Sequence, residues 1–326
     1  MHYSVTAEQW PLARPFVTAR EVMHHLPLVL LTISDEGVTG QAEAAGVDYH
    51  GETVSTIMAQ IEACLAGRSK LPSRHDLIAL LPPGGARNAI DCALWDLEAK
   101  QTGRSAAQIA GMADLVPLQT VYTLSLDQPE RMADAVGLSP PGAILKLKIG
   151  GRDGLDIARV QAVRRASPSS RLIVDVNEGW TRTELDQYGL ALWPLGVEMI
   201  EQPLQEGQDH WLAGYGGPIP LCADESANTA EDLVRLDDYA FINIKLDKTG
   251  GLTAALELAV KARARGKQLM VGSMLGTSLG MAPAFLVGQL CTYVDLDGPL
   301  LLAKDRRPAM SFAGKTVLPP PADLWG

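Results

Sequence analysis

The chain has 326 residues, with 28 basic and 38 acidic side chains, 47% apolar residues and 20% charged ones. This is a globular composition, long enough for one large domain or two unequal ones. A formal charge of −10 argues against a nucleic-acid face. The longest apolar run, Leu26 to Ile33, falls far short of the ~20 residues that span a bilayer.

The opening residues lack a basic start, an apolar stretch and a small-residue cleavage site, so no signal peptide is read. Cys64, Cys92, Cys222 and Cys291 are scattered and form no CxxC, and the histidines show no ligand spacing. A reducing cytoplasm is the expected compartment, and neither a disulfide framework nor a zinc site is expected. Any bound metal must rest on carboxylates.

In chain order, Leu26–Ser34 reads as a strand, Asp35-Glu36-Gly37 as a hairpin-like turn and Gln41–Ala45 as a second strand. Thr53 to Ala66 carries apolar residues at 54, 57, 58, 61 and 65, a helical period. Ala86 to Lys100 carries them at 89, 90, 93, 94 and 97, and Gly103 is a natural stop. Strands followed by helices predict a small α+β domain over 1–115. From 116 the pattern alternates. Apolar strands are expected at 118–124, 143–149, 171–176, 197–200, 219–222, 240–246, 268–272 and 292–296. Helices are expected between them, as at 154–166, 182–193 and 252–265. This alternation predicts an α/β fold with a parallel sheet, and eight strands over 116–298 suit a (β/α)₈-type barrel. An open doubly wound sheet is the rival, but no GxGxxG follows an early strand. The tail, 299–326, with three prolines at 319–321, is expected to run back over the first domain.

Polar groups end these strands. Lys146 and Lys148 close one, Asp175 and Asn177 the next, then Glu201, then Asp224 with Glu225, then Lys245, and last Asp295 with Asp297. Residues i and i+2 of a strand share a face. Positions 148, 175, 201, 224 and 245 lie 27, 26, 23 and 21 residues apart, about one βα unit each. They would converge at the C-terminal mouth of the barrel, where such enzymes keep their sites. Singly, Lys-x-Lys is an ordinary solvated edge, and an Asp after a strand an ordinary helix cap. Jointly, three acids from consecutive strands form a like-charge cluster that calls for a cation. Asp175, Glu201 and Asp224 offer hard oxygen ligands, which suit Mg²⁺.

Lysines on either side suggest proton transfer at carbon next to a carboxylate, where a divalent metal stabilises an enediolate-like intermediate. A Lys base with Mg²⁺ is the known pattern of enolase-superfamily sites. Free lysine titrates near ~10.4, so a base needs a depressed pKa. A second ammonium on Lys146 would lower that of Lys148. This gives Lys146 an auxiliary role and Lys148 the role of base, with Lys245 facing it across the substrate.

These residues resemble the enolase superfamily in its muconate-lactonizing subgroup, and within it the dipeptide epimerases, nearest those acting on Ala-Glu. The resemblance rests on Lys146-Leu147-Lys148, Asp175-Val176-Asn177, Glu201-Gln202-Pro203, Ala223-Asp224-Glu225-Ser226, Asn243-Ile244-Lys245 and Lys248-Thr249-Gly250-Gly251. The run Gly85 to Leu97 and Asp295-Leu296-Asp297-Gly298-Pro299 are also typical. It implies a modified TIM barrel, (β/α)₇β, under an N-terminal α+β capping domain. It implies Mg²⁺ on Asp175, Glu201 and Asp224, and Lys148 and Lys245 as acid and base. It implies Asp295 and Asp297 as the seat of a dipeptide's α-ammonium, with Thr123, Ser273 and Leu275 lining the substrate. In the Ala-Glu enzymes an arginine after the first strand takes the side-chain carboxylate. Here that loop reads Thr18 to His25, and Arg20, beside Glu21, is the residue in question. The implied partner is a small dipeptide, and the resemblance suggests murein peptide recycling, with no nucleic acid and no membrane; a homo-oligomer is allowed. The rivals are a dipeptide epimerase of other side-chain preference, a lyase or cycloisomerase of the same superfamily, such as o-succinylbenzoate synthase or muconate cycloisomerase, and an inactive dipeptide-binding barrel.

Overall fold

The computed structural model describes residues 1–112 and 114–326. It opens on a strand that hydrophobic patterning did not predict, β1 (His2–Val17). Most of β1 is exposed or half-exposed, so it carries no apolar run. It pairs antiparallel with β2 (Val22–Asp35), the register shifting between Pro11 and Phe16. β2 continues into β3 (Val38–Ala44) through Glu36 and Gly37, whose φ values of 49° and 82° are those of a two-residue hairpin turn.

Helix α1 (Val54–Leu65) starts at Thr53, whose hydroxyl and Thr56 form a reciprocal cap. A short α2 (Arg74–Leu80) follows. Helix α3 (Gly85–Thr102) is buried at 14 of its 18 positions and ends at Gly103 in a left-handed turn. It packs along β3 on one side and the barrel on the other.

After α4 (Ala106–Ile109), the expected strand 118–124 divides at Thr120. β4 (Leu118–Gln119) joins a tail sheet, and β5 (Val121–Leu124) begins the barrel. β6 (Ile144–Lys148), β7 (Leu172–Asp175), β8 (Val197–Glu201), β9 (Leu221–Ala223), β10 (Phe241–Ile244), β11 (Gln268–Val271) and β12 (Tyr293–Val294) follow, parallel and in sequence order. Helices α5 (Pro129–Ala135), α6 (Asp156–Ala166), α7 (Arg182–Leu192), α8 (Leu246–Thr249), α9 (Leu252–Ala264) and α10 (Ser278–Gly288) connect most of them. Around β9 the connections are 3₁₀ turns, Asp209–Leu212 before it and Ala230–Arg235 after it. The fold is the expected (β/α)₇β barrel with an N-terminal sheet-and-helix domain.

Period-two alternation sorts the strand residues. Leu145, Leu147, Leu172, Val174, Ile200, Ile242, Ile244 and Val271 join the large core beneath the helices. Inside the barrel each strand gives one apolar residue to a closed layer: Val121, Ile144, Ile173, Met199, Cys222, Phe241, Met270 and Tyr293. Two positions further on come Thr123, Lys146, Asp175, Glu201, Asp224, Asn243, Gly272 and Asp295. The inner wall thus changes from apolar to charged within one repeat.

Among the described residues no β-ladder joins β12 to β5. Side chains span that seam: Leu296 N donates to Thr120 Oγ1 (3.1 Å) and Thr123 N to Asp297 Oδ2 (2.6 Å). α11 (Gly298–Leu301) follows, then the hairpin β13 (Phe312–Ala313) and β14 (Thr316–Val317), which pairs with β4. Residues 324–326 return to α3, where Trp325 Nε1 donates to Cys92 O at 3.0 Å. No helix among the described residues is long and apolar enough to cross a membrane, and all four cysteines are free thiols.

Candidate active site

The carboxylates of Asp175, Glu201 and Asp224 each offer an oxygen within 4.8 Å of the others, and all three residues are 0% exposed. Asp175 and Glu201 end β7 and β8 and pair in register, and Asp224 lies two residues past Cys222, the β9 partner of Glu201. Lysines flank them. Lys148 Nζ lies 2.6 Å from Asp175 Oδ2, and Lys245 Nζ lies 2.6 Å from Asp224 Oδ2, on the opposite side of the triad. Lys146 is central, at 3.0 Å from Asp175, 2.8 Å from Glu201 and 2.7 Å from Asp295.

Burial works against every charge here, and neighbours decide the outcome. Burial would raise the Asp175 and Asp224 carboxyls, but the lysines beside each hold both below the usual carboxylate range. Burial also opposes the Lys146 charge, yet Asp175 and Asp295 outweigh it and keep that ammonium protonated. Asp224 does the same for Lys245. Glu201 is the exception: burial, then the Asp175 charge, pushes its carboxyl up to about 8. Its Oε2 receives no hydrogen bond, despite the nearby Lys146 ammonium. Three buried carboxylates with oxygens within reach of one another form an all-oxygen donor set that fits a hard divalent cation.

Above the triad lies a cavity of about 140 Å³. Of the residues singled out from the sequence, Thr123, Lys146, Lys148, Lys245, Ser273, Leu275, Asp295, Asp297 and Arg20 line it. Asp295 and Asp297 lie just past β12. Burial, then the Asp295 charge, pushes the Asp297 carboxyl up to about 7. The β1–β2 hairpin tip covers the mouth and carries Phe16, Thr18, Arg20 and Glu21 into the lining. Arg20 is engaged by protein acids: its Nη1 lies 2.5 Å from Glu225 and 3.1 Å from Glu178.

Several residues here had not been given roles. Glu225 is fully buried and takes both Arg20 and Asn177 Nδ2 on one oxygen. Lys248, 1% exposed, donates to Asp224 Oδ1 (2.7 Å), to Asp224 O and to Asn243 O (3.0 Å). Asn243 donates to Glu201 Oε1 at 2.7 Å. Gln202 Oε1 accepts the amides of Asp224 and Ser226. Left-handed backbone at Asn177, Glu178 and Gln202 (φ 44°, 69° and 35°) marks the tips of β7 and β8. The motifs contained these residues, but a contact between different strand ends leaves no local signal.

Residues 1–111 match the mandelate racemase/muconate lactonizing enzyme N-terminal domain, and residues 128–301 match the enolase C-terminal domain-like family. The chain therefore belongs to the enolase superfamily, in its mandelate racemase/muconate lactonizing enzyme branch. Within that branch it is similar to dipeptide epimerases. It is 41% identical over 311 residues to the L-Ala-D/L-Glu epimerase of Escherichia coli K12, covering 94% of this chain and 96% of that one. It is 43% identical over 302 residues to an N-acetyl-D-glutamate racemase of a Pseudoalteromonas species, covering 92% and 95%. An Agrobacterium tumefaciens enolase family member with homology to dipeptide epimerases, solved with sodium and L-Ala-L-Glu, superposes with a TM-score of 0.94 at 44% identity, over 99% of both chains.

Proposed function

We propose that this isomerase is a Mg²⁺-dependent dipeptide epimerase that inverts the α-carbon of the C-terminal residue, with Ala-Glu dipeptides as its first substrates. One observation carries the reading: two buried lysines stand on opposite sides of a carboxylate triad, each beside a different acid of it. Asp175, Glu201 and Asp224 would hold the ion. When bound, it supplies positive charge where negative charge gathers on the substrate carboxylate. Lys148 and Lys245 work from opposite faces, one taking the α-proton as the other returns one. Lys146 is the auxiliary cation behind them. Asp295 and Asp297 receive the dipeptide ammonium at the far end, and Thr123, Ser273 and Leu275 shape that end. Arg20 would leave its acids for the side-chain carboxylate. The proposed units are 1–115 as cap, 116–298 as barrel and 299–326 as tail, with murein-derived peptides as the metabolic setting.

A second reading, racemisation of an N-acylated glutamate, is favoured by one feature. Asp295 already pairs with Lys146, and Asp297 already accepts from Thr123. The test is α-proton exchange in D₂O with Mg²⁺, read by mass, over L-Ala dipeptides and N-acetylglutamate. Exchange of L-Ala-L-Glu and L-Ala-D-Glu supports the proposal. Exchange confined to N-acetylglutamate transfers it to the second reading. Silence with both would send the assignment to the lyases or to a binding-only barrel.

A further inference from the structure

Arg87, Asn88, Asp91 and Asp96 of α3 are buried, and the proton-transfer chemistry makes no use of them. Arg87, Asp91 and Trp95 recur at four-residue intervals, so they lie on one face of the helix. That face meets the segment that leaves β10 directly after Lys245. Arg87 Nη2 donates to Thr249 O at 2.6 Å and Nε to Gly250 O at 3.2 Å. Asp91 accepts Thr253 Oγ1 (2.6 Å) and Thr253 N (2.9 Å), and Trp95 Nε1 donates to the same hydroxyl at 3.0 Å. Arg87 and Asp91 are 5% and 1% exposed.

The fit is close enough to constrain the backbone. Gly250 and Gly251 have φ of 74° and 114°. A Cβ on Gly251 would sit 2.5 Å from the Asp91 carboxylate, and one on Gly250 would strike the Arg87 guanidinium. Lys245 itself caps α8, a single turn, and its carbonyl accepts Thr249 N at 3.0 Å. One hydrogen-bond path therefore runs from Arg87 through Thr249 to the Lys245 backbone. On the opposite side of the same turn Lys248 anchors to Asp224. Lys148 has no such splint from α3; its ammonium is held by Asp175 and Asn177.

We infer that Arg87 and Asp91 of the cap are positioning residues for Lys245 and not for Lys148, acting through the backbone of residues 246–253. The inference rests on the two-lysine reading above. A guanidinium reaching three carbonyls, those of Leu81, Thr249 and Gly250, is not replaced by an ammonium, which cannot present the same fork. Arg87→Lys keeps the charge and loosens one end of the turn.

The test compares the two proton-transfer directions. In D₂O with Mg²⁺, Lys245→Ala first defines which dipeptide isomer depends on Lys245, as the one whose α-proton exchange is lost. For Arg87→Lys, kcat for exchange of that isomer is expected to fall at least ~10-fold further than for the other isomer, with both KM values little changed. Thr253→Ala, a milder change, is expected to shift the ratio the same way by a smaller factor. It also serves as the test if Arg87→Lys does not fold. Parallel loss for both isomers, or no loss in a folded variant, overturns the inference and leaves α3 as interdomain glue. If the wild-type protein exchanges neither isomer, the two-lysine reading fails and this inference falls with it.

Discussion

The barrel wall carries two inner layers, one repeat apart on the same eight strands. In the lower layer Ile173, Met199 and Cys222 are neighbours; in the upper layer, two residues on, the same strands give Asp175, Glu201 and Asp224. The lower layer gains by excluding water. The upper layer is buried at a cost and is held by mutual neutralisation, with lysines beside its acids. The contrast separates stability from chemistry within a single motif, and substitutions in each layer should therefore fail in different ways.

The largest effect is expected above. Lys148→Ala and Lys245→Ala should each lower epimerisation by about 10²–10⁴-fold, while circular dichroism with Mg²⁺ present still shows a folded protein. Below, Met199→Ala should cost about 2–5 kcal/mol in urea unfolding and leave kcat within a few-fold. A loss of activity without a loss of stability in Met199→Ala would break the division. Chelation should abolish turnover and Mg²⁺ should restore it. At a hundredfold excess over its Kd the ion should add about 2.7 kcal/mol to stability. Cys222→Ser, a hydroxyl in the apolar layer, should cost about 1–3 kcal/mol.

The smallest expected effect is on pH dependence. With its carboxyl pushed up to about 7, Asp297 is neutral below that pH and charged above it. An ammonium prefers the charged form. KM for L-Ala-L-Glu should therefore fall as pH rises from 6 to 7.5, then climb as the dipeptide amine, near ~7.7–8.0, loses its proton. Asp297→Asn should flatten the acidic limb, and steady-state rates across that range would show it.

What was legible in the sequence follows from periodicity. Runs such as Ala143–Ile149 and Leu172–Val176 are apolar on both faces until a charge interrupts them, and that interruption is the strand tip. The charged inner positions could be read because lysines and acids end consecutive strands about one βα unit apart, which no single edge or cap explains. β1 has no apolar run to mark it: Tyr3, Val5 and Ala7 alternate with Ser4, Thr6 and Glu8, but little of the strand is buried. The break at Thr120 was hidden because Leu118 and Val121 are both apolar yet serve different sheets. The 3₁₀ connections around β9 leave no helical repeat to detect. The Arg20–Glu225 pair joins residues 205 positions apart, so no spacing could reveal that the arginine already has a protein partner.

The unlaced joint between β5 and β12 bears on how the barrel breathes. Amides that face a neighbouring strand's carbonyls exchange with solvent only when the ladder opens, whereas this joint depends on a threonine hydroxyl and one carboxylate. It is the natural first point of local opening in the hoop. The carboxylate in question, Asp297, also lines the cavity. A ligand that recruits Asp297 would alter the fastening of the hoop itself, so the hydrogen-exchange protection of Thr123 would report on occupancy of the cavity.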